Sequence, residues 1–163
     1  MTPASGRILA LDPGERRTGV ALSDELGILA TPLCILREHA RDRVAAVADL
    51  VRQHGVVEIL VGFPRTLRGE IGPQARRVER FVEELREAVD VPVRLWNEQY
   101  STAEAKDRLA ATRKTTGGHR PSVGRRGREA EVHVDAVAAA VILQEYLDSR
   151  RSSSSSSSSS PSP

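Results

Sequence analysis

Hydrophobic positions in the first third of the chain come in short runs separated by turn residues. "RILALD" (7–12), "TGVALS" (18–23) and "ILATPLCIL" (28–36) read as three strands joined by tight connections, an antiparallel meander. The period then changes. In "RDRVAAVADLVRQHG", Val44, Val47, Ala48 and Val51 share one helical face, and Gly55 stands where a helix stops. "VVEILVGF" (56–63) is a continuous apolar run suited to a strand buried on both faces. Pro73 occupies a first-helical-residue position, and Val78, Phe81, Val82 and Leu85 form the stripe of an amphipathic helix over 73–88. "VPVRLWNE" (91–98) is the last strand. "STAEAKDRLAA" follows with Ser101 three residues ahead of Glu104, a capping-box pattern. Residues 111–128 hold five glycines or prolines and no periodicity, which predicts a mobile loop. Val134, Ala138, Val141, Ile142 and Tyr146 recur at helical spacing, predicting a final helix over 129–148.

Three strands without helices, then alternating helices and strands, predict an α/β fold with a mixed five-stranded sheet flanked by helices. The strands at 56–63 and 91–98 join by crossovers and run parallel to the first, which places the strand beginning at Arg7 near the sheet centre. Residues 1–150 make one domain. Residues 151–163, with an unbroken serine run from 152 to 160, read as a disordered tail that can bury nothing.

Composition narrows the function classes. Cys34 is the only cysteine, so neither an internal disulfide framework nor a cysteine-based zinc site can be built, and the four histidines lack metal-ligand spacing. No apolar run approaches the roughly 20 residues of a membrane helix, and "MTPASGR" lacks a signal-peptide core, so the expected location is the cytoplasm with no membrane partner. Net charge is +2, but seven Lys/Arg and no Asp or Glu lie between Arg108 and Arg128, leaving the rest at −5. A basic segment on an otherwise acidic chain is the footprint of a polyanion binder, although a solvated loop has the same composition. Aromatics at 3% argue against single-strand recognition by stacked rings.

Candidate chemistry lies with the carboxylates. "ILALDPGERRTGVALSD" (8–24) ends its first strand on Asp12 and turns straight back. A plain hairpin accounts for the turn, but the strand's position puts Asp12 at the C-terminal rim, where open α/β sheets carry their sites. Glu98 ends a parallel strand and leaves at the same edge. Asp135 precedes a run rich in small residues (Ala136, Ala138, Ala139, Ala140) that lets its helix approach the sheet closely. Asp135 alone fits a hydrogen-bonded residue at the core edge. The three carboxylates together read as a site for a hard cation, Mg²⁺ or Mn²⁺, two of which about 4 Å apart assist phosphodiester hydrolysis. "GFPRTLRGEIG" (62–72) carries Arg65 and Arg68 ahead of a helix N-terminus and suits phosphate steering.

Four blocks, "ILALDPGERRTGVALSD", "LVGFPRTLRGEIGPQARRVERFVEEL", "NEQYSTAEA" and "VDAVAAAVILQEYLD", resemble the YqgF/RuvX-type nucleases in order and spacing. That family is described both as pre-16S rRNA nucleases and as Holliday junction resolvases. The first block is also similar to the start of RuvC-type resolvases. The resemblance implies an RNase H-like fold and a catalytic, metal-binding acidic triad that maps onto Asp12, Glu98 and Asp135. It implies a metal-dependent nuclease that trims the 5′ end of pre-16S rRNA, with resolution of four-way DNA junctions as the alternative. Nucleic-acid partners, structured RNA or branched DNA, would meet Arg65, Arg68, Arg113, Lys114, Arg120, Arg125, Arg126 and Arg128, on a monomer or a homodimer. The chain departs from the family's usual Asp-Glu-Arg in its third block, where it has Asn97, Glu98 and Gln99. A non-catalytic nucleic-acid-binding protein is the remaining alternative. An actin-like ATPase is disfavoured, because the length supplies one such domain and no GxxxxGK[ST] loop occurs.

Overall fold

The computed structural model describes residues 6–37, 39–64, 71–97 and 126–155. Three strands form the meander: β1 (Arg7–Pro13), β2 (Thr18–Ser23) and β3 (Ala30–Leu36). Helix α1 (Ala40–His54), strand β4 (Val56–Phe63), helix α2 (Pro73–Ala88), strand β5 (Val93–Asn97) and helix α3 (Arg126–Ser155) follow. The sheet order is β3-β2-β1-β4-β5, with β1 antiparallel to β2, β2 antiparallel to β3, and β4 parallel to both β1 and β5. This is the mixed sheet expected from the sequence, with β1 at its centre.

Alternation along β1 divides the interior in two. Leu9 and Leu11 join Val20, Ile59, Val61 and the buried stripes of α1 (Val44, Val47) and α2 (Val78, Phe81, Val82, Leu85) in one cluster. Ile8 and Ala10 face the other way, into a cluster with Ala21, Leu60 and the α3 residues Ala139, Ala140, Ile142, Leu143 and Leu147. The period of two along a strand produces this split, and small residues on the second face allow α3 to lie close to the sheet. Gly55 ends α1 at φ 62° and ψ 44°, a left-handed conformation that favours glycine, and its N–H donates to the Val51 carbonyl. Gln144 ties α3 to the edge of the meander. Its Oε1 accepts from the Ala30 N–H (2.9 Å), and its Nε2 donates to the Ile28 carbonyl (2.9 Å).

Three boundaries differ from the sequence reading. Strand β3 begins at Ala30, not 28, because the Asp24 carboxylate accepts the N–H groups of Ile28 (2.7 Å) and Leu29 (3.1 Å) and holds them in the preceding turn. Strand β5 begins at Val93, not 91, and is described as far as Asn97, the expected last residue Glu98 lying outside the described residues. Helix α3 is longer than 129–148: it begins at Arg126, inside the expected loop, and takes in Arg151 to Ser155 of the expected disordered tail. The hydroxyls of Ser152, Ser153 and Ser154 donate back to the carbonyls of Asp148, Ser149 and Arg151, bonds that let serines continue a helix. The predicted helix beginning at Ser101 lies outside the described residues.

Candidate active site

Strand β1 delivers Asp12 to the C-terminal rim of the sheet, followed by the turn Gly14–Arg17, in which the Gly14 N–H donates to the Arg17 carbonyl (2.7 Å). Side-chain alternation puts Asp12 on the same face as Ile8 and Ala10, the face that α3 covers. Both strands beside it carry a glycine there. On β2, Gly19 is the register partner of Asp12. On β4, a Cβ placed on Gly62 would lie 3.7 Å from Asp12 Oδ1 and 2.9 Å from Ile142 of α3. Gly19 matters more, because a Cβ there would lie 2.0 Å from the Asp135 carbonyl oxygen and 3.1 Å from the Ala136 nitrogen. Real Cβ atoms do not approach backbone that closely. Glycine at 19 is therefore the condition for α3 to touch β2 beside Asp12, and the residue at the point of contact is Asp135.

Asp12 and Asp135 line one open cleft of about 630 Å³, together with Pro13, Gly14, Glu15, Arg16, Arg17, Arg37 and Gln74. Asp135 Oδ2 is paired with Arg17 Nε at 3.1 Å, both side chains being about a third exposed. Three arginines thus surround the carboxylates. Glu15 is held by Arg77 of α2 at 2.8 Å, and that hydrogen bond, reinforced by the Arg77 charge, keeps its carboxyl below the usual range. Among the described residues, Asp12 and Asp135 bring carboxylate oxygens to the cleft, donor chemistry that suits a hard divalent cation, and no group of three or more potential ligands is assembled there.

Of the expected triad, Asp12 and Asp135 share the cleft. Glu98 lies outside the described residues, immediately after Asn97, whose register partner on β4 is Phe63. Arg65, Arg68, Arg113, Lys114, Arg120 and Arg125 also lie outside them, while Arg126 and Arg128 fall in the first turn of α3. Sequence reasoning missed Arg17, Arg37 and Gln74. Arg17 was visible as one of three charges in "GERRTG", but nothing local assigns it to Asp135, which is 118 positions away. Arg37 reaches the rim because β3 runs antiparallel to β2, with Leu36 opposite Thr18. Among the described residues, no helix is long and apolar enough to cross a membrane.

A family model described as "RuvX: Holliday junction resolvase" matches residues 6–149. A Chloroflexus aurantiacus protein named "Putative pre-16S rRNA nuclease" is 40% identical over 146 residues, 89% of this chain and 88% of that one. A Roseiflexus protein of the same name is 40% identical over 152 residues, 93% of this chain and all of that one. Among solved structures, Thermus thermophilus RuvC is similar with a TM-score of 0.54 at 17% identity, covering 90% of this chain and 96% of that one, a likeness of fold. The rim carboxylates, the sheet order and these matches agree: the chain belongs to the RuvX family of nucleases, on a RuvC-like RNase H fold.

Proposed function

We propose that this chain is a divalent-metal-dependent nuclease of the cytoplasm that hydrolyses phosphodiester bonds in structured RNA, trimming the 5′ end of pre-16S rRNA. The observation that carries the reading is the backbone contact of Gly19 with Asp135, which brings a carboxylate of α3 into the cleft of Asp12. Asp12, Asp135 and Glu98 are the residues that would hold Mg²⁺ or Mn²⁺. A bound ion of this kind activates water and stabilises the leaving oxygen of a phosphodiester. The chain's own contribution is to hold the carboxylates on the rigid end of β1 and on α3, and to surround them with Arg16, Arg17 and Arg37, which attract the phosphate backbone. Arg65, Arg68 and the bases from Arg113 to Arg128 extend that attraction along the substrate.

RNA is favoured by the names of the relatives. The second reading, resolution of four-way DNA junctions, is favoured by the family description and by the RuvC structure titled as a complex with a Holliday junction substrate. Junction resolution demands symmetric cuts and therefore a two-fold dimer, whereas trimming does not. The deciding experiment incubates purified protein with Mg²⁺ or Mn²⁺ and either a pre-16S rRNA 5′ segment or a four-way junction, with mass measured in solution. Cleavage of the RNA by a monomer is the expected result. Paired nicks in the junction by a dimer that ignores RNA would reverse the choice, and no cleavage of either by wild type would overturn the nuclease reading.

A further inference from the structure

A second groove, about 620 Å³ in volume, opens from the carboxylate cleft and runs over α1 and α2, on the opposite face of the sheet from α3. The two share Pro13, Gly14, Glu15, Arg16, Arg37 and Gln74 as a common ridge, so they form one continuous surface. Beyond the ridge the walls are basic: Arg43 comes from α1, and Arg77 and Arg80 come from α2. With Arg16 and Arg37, five arginines and His39 line this groove among the described residues, against two acids, Glu15 and Glu84. Glu15 is already paired with Arg77. The floor is apolar, and among the described residues its one Phe, Tyr or Trp, Phe81, is buried in the core and offers no stacking face.

From this arrangement we infer that the α1–α2 groove is a phosphate track for a double-stranded arm of the substrate, leading away from the bond to be cut. The inference rests on the nuclease reading for what lies at its head. Its own basis is charge complementarity and continuity with the cleft. A row of guanidinium groups without stacking aromatics recognises backbone and not bases, and a duplex presents its phosphates while hiding its bases. Arg77 and Arg80 are three apart on α2 and both exposed, so they stand side by side on one helix face. The track is built from residues other than the basic segment after Arg108 and gives the enzyme a grip on the substrate away from the reacting phosphate.

The test compares wild type with the double variant R77A/R80A and with R52A/R151A, which removes two arginines that do not line the groove. Binding of a fluorescein-labelled RNA duplex and of a DNA duplex of the same sequence is followed by anisotropy in EDTA across a range of KCl. R77A/R80A should weaken binding and reduce the slope of log K against log salt by about 1 to 2, while R52A/R151A changes neither. The duplex that loses more identifies the polymer the track serves. In cleavage assays the groove variant should raise KM by a larger factor than it lowers kcat. An unchanged slope and KM, or an equal loss in R52A/R151A, overturns the track. D12N distinguishes the two proposals: it should abolish cleavage and keep the duplex slope. A wild type that fails to cleave while R77A/R80A still flattens the slope sinks the nuclease reading and leaves the track.

Discussion

Gly19 and Asp135 meet backbone to backbone: a methyl group on Gly19 would lie 2.0 Å from the Asp135 carbonyl oxygen. Because Gly19 is also the register partner of Asp12, this one contact fixes where the last helix stands relative to the first strand. Distance along the chain, 123 residues between the two carboxylates, is bridged by the absence of a single side chain.

Gly19→Ala must push α3 outward or bend β2. Overpacking of this kind costs about 1–3 kcal/mol. The expected outcome is a lowered Tm together with a loss of cleavage larger than the remaining folded fraction explains, since Asp135 moves with the helix. Full activity in folded Gly19→Ala protein would show that the contact does not set the site.

Asp12→Asn, Asp135→Asn and Glu98→Gln each keep shape and remove charge. Each should reduce cleavage by about a hundredfold or more, the equivalent of a few kcal/mol of lost transition-state stabilisation. Near wild-type cleavage by any one variant at matched metal concentration would remove that residue from the set.

The Arg17 guanidinium lies 3.1 Å from the Asp135 carboxylate, where a cation would also bind. Arg17→Ala should therefore tighten Mn²⁺ binding several-fold in calorimetry, since a competing positive charge is gone. Weaker binding would mean instead that Arg17 chiefly orients Asp135.

At the other end of the sheet, buried Glu58 accepts the Tyr146 hydroxyl (2.5 Å) and Arg150 Nη1 (3.2 Å) and forms an ion pair with Arg94 Nε (2.8 Å), tying α3 to β4 and β5. Glu58→Ala should cost about 1–3 kcal/mol of stability, read as a shift in urea midpoint, because charge-assisted bonds are lost while both arginines can return to water. A shift indistinguishable from zero would show the cluster to be energetically idle.

Burial, and then the hydrogen bond to Glu58, push the Tyr146 phenol above its ordinary value. A raised value means that the folded state holds the proton more tightly. The resulting stability is present below pH about 10, where the unfolded tyrosine titrates, and is lost as pH rises further. Tyr146→Phe should flatten the alkaline limb of a Tm–pH curve. An unchanged limb would assign the alkaline loss to other groups.

The order of strands and helices was legible in the sequence because period is local. The alternation of β1, the unbroken apolar run of β4, the Pro73 start and stripe of α2 and the Gly55 stop of α1 each need only a few neighbouring residues. Asp12 was legible too, since a carboxylate closing a central strand must reach the rim. Less local were the ends of elements decided by side-chain bonds, such as the Asp24 turn that delays β3 and the back-bonded serines that prolong α3. The sequence by itself thus determined a mixed sheet with β1 at its centre and an acid at its edge. Only the tertiary structure decided that Gly19 admits the Asp135 peptide, that Arg17 pairs with Asp135, and that arginines from the first turn, α1 and α2 line one groove. Those relationships join residues on different elements, and they depend on how closely two backbones approach, which no pattern within a single segment encodes.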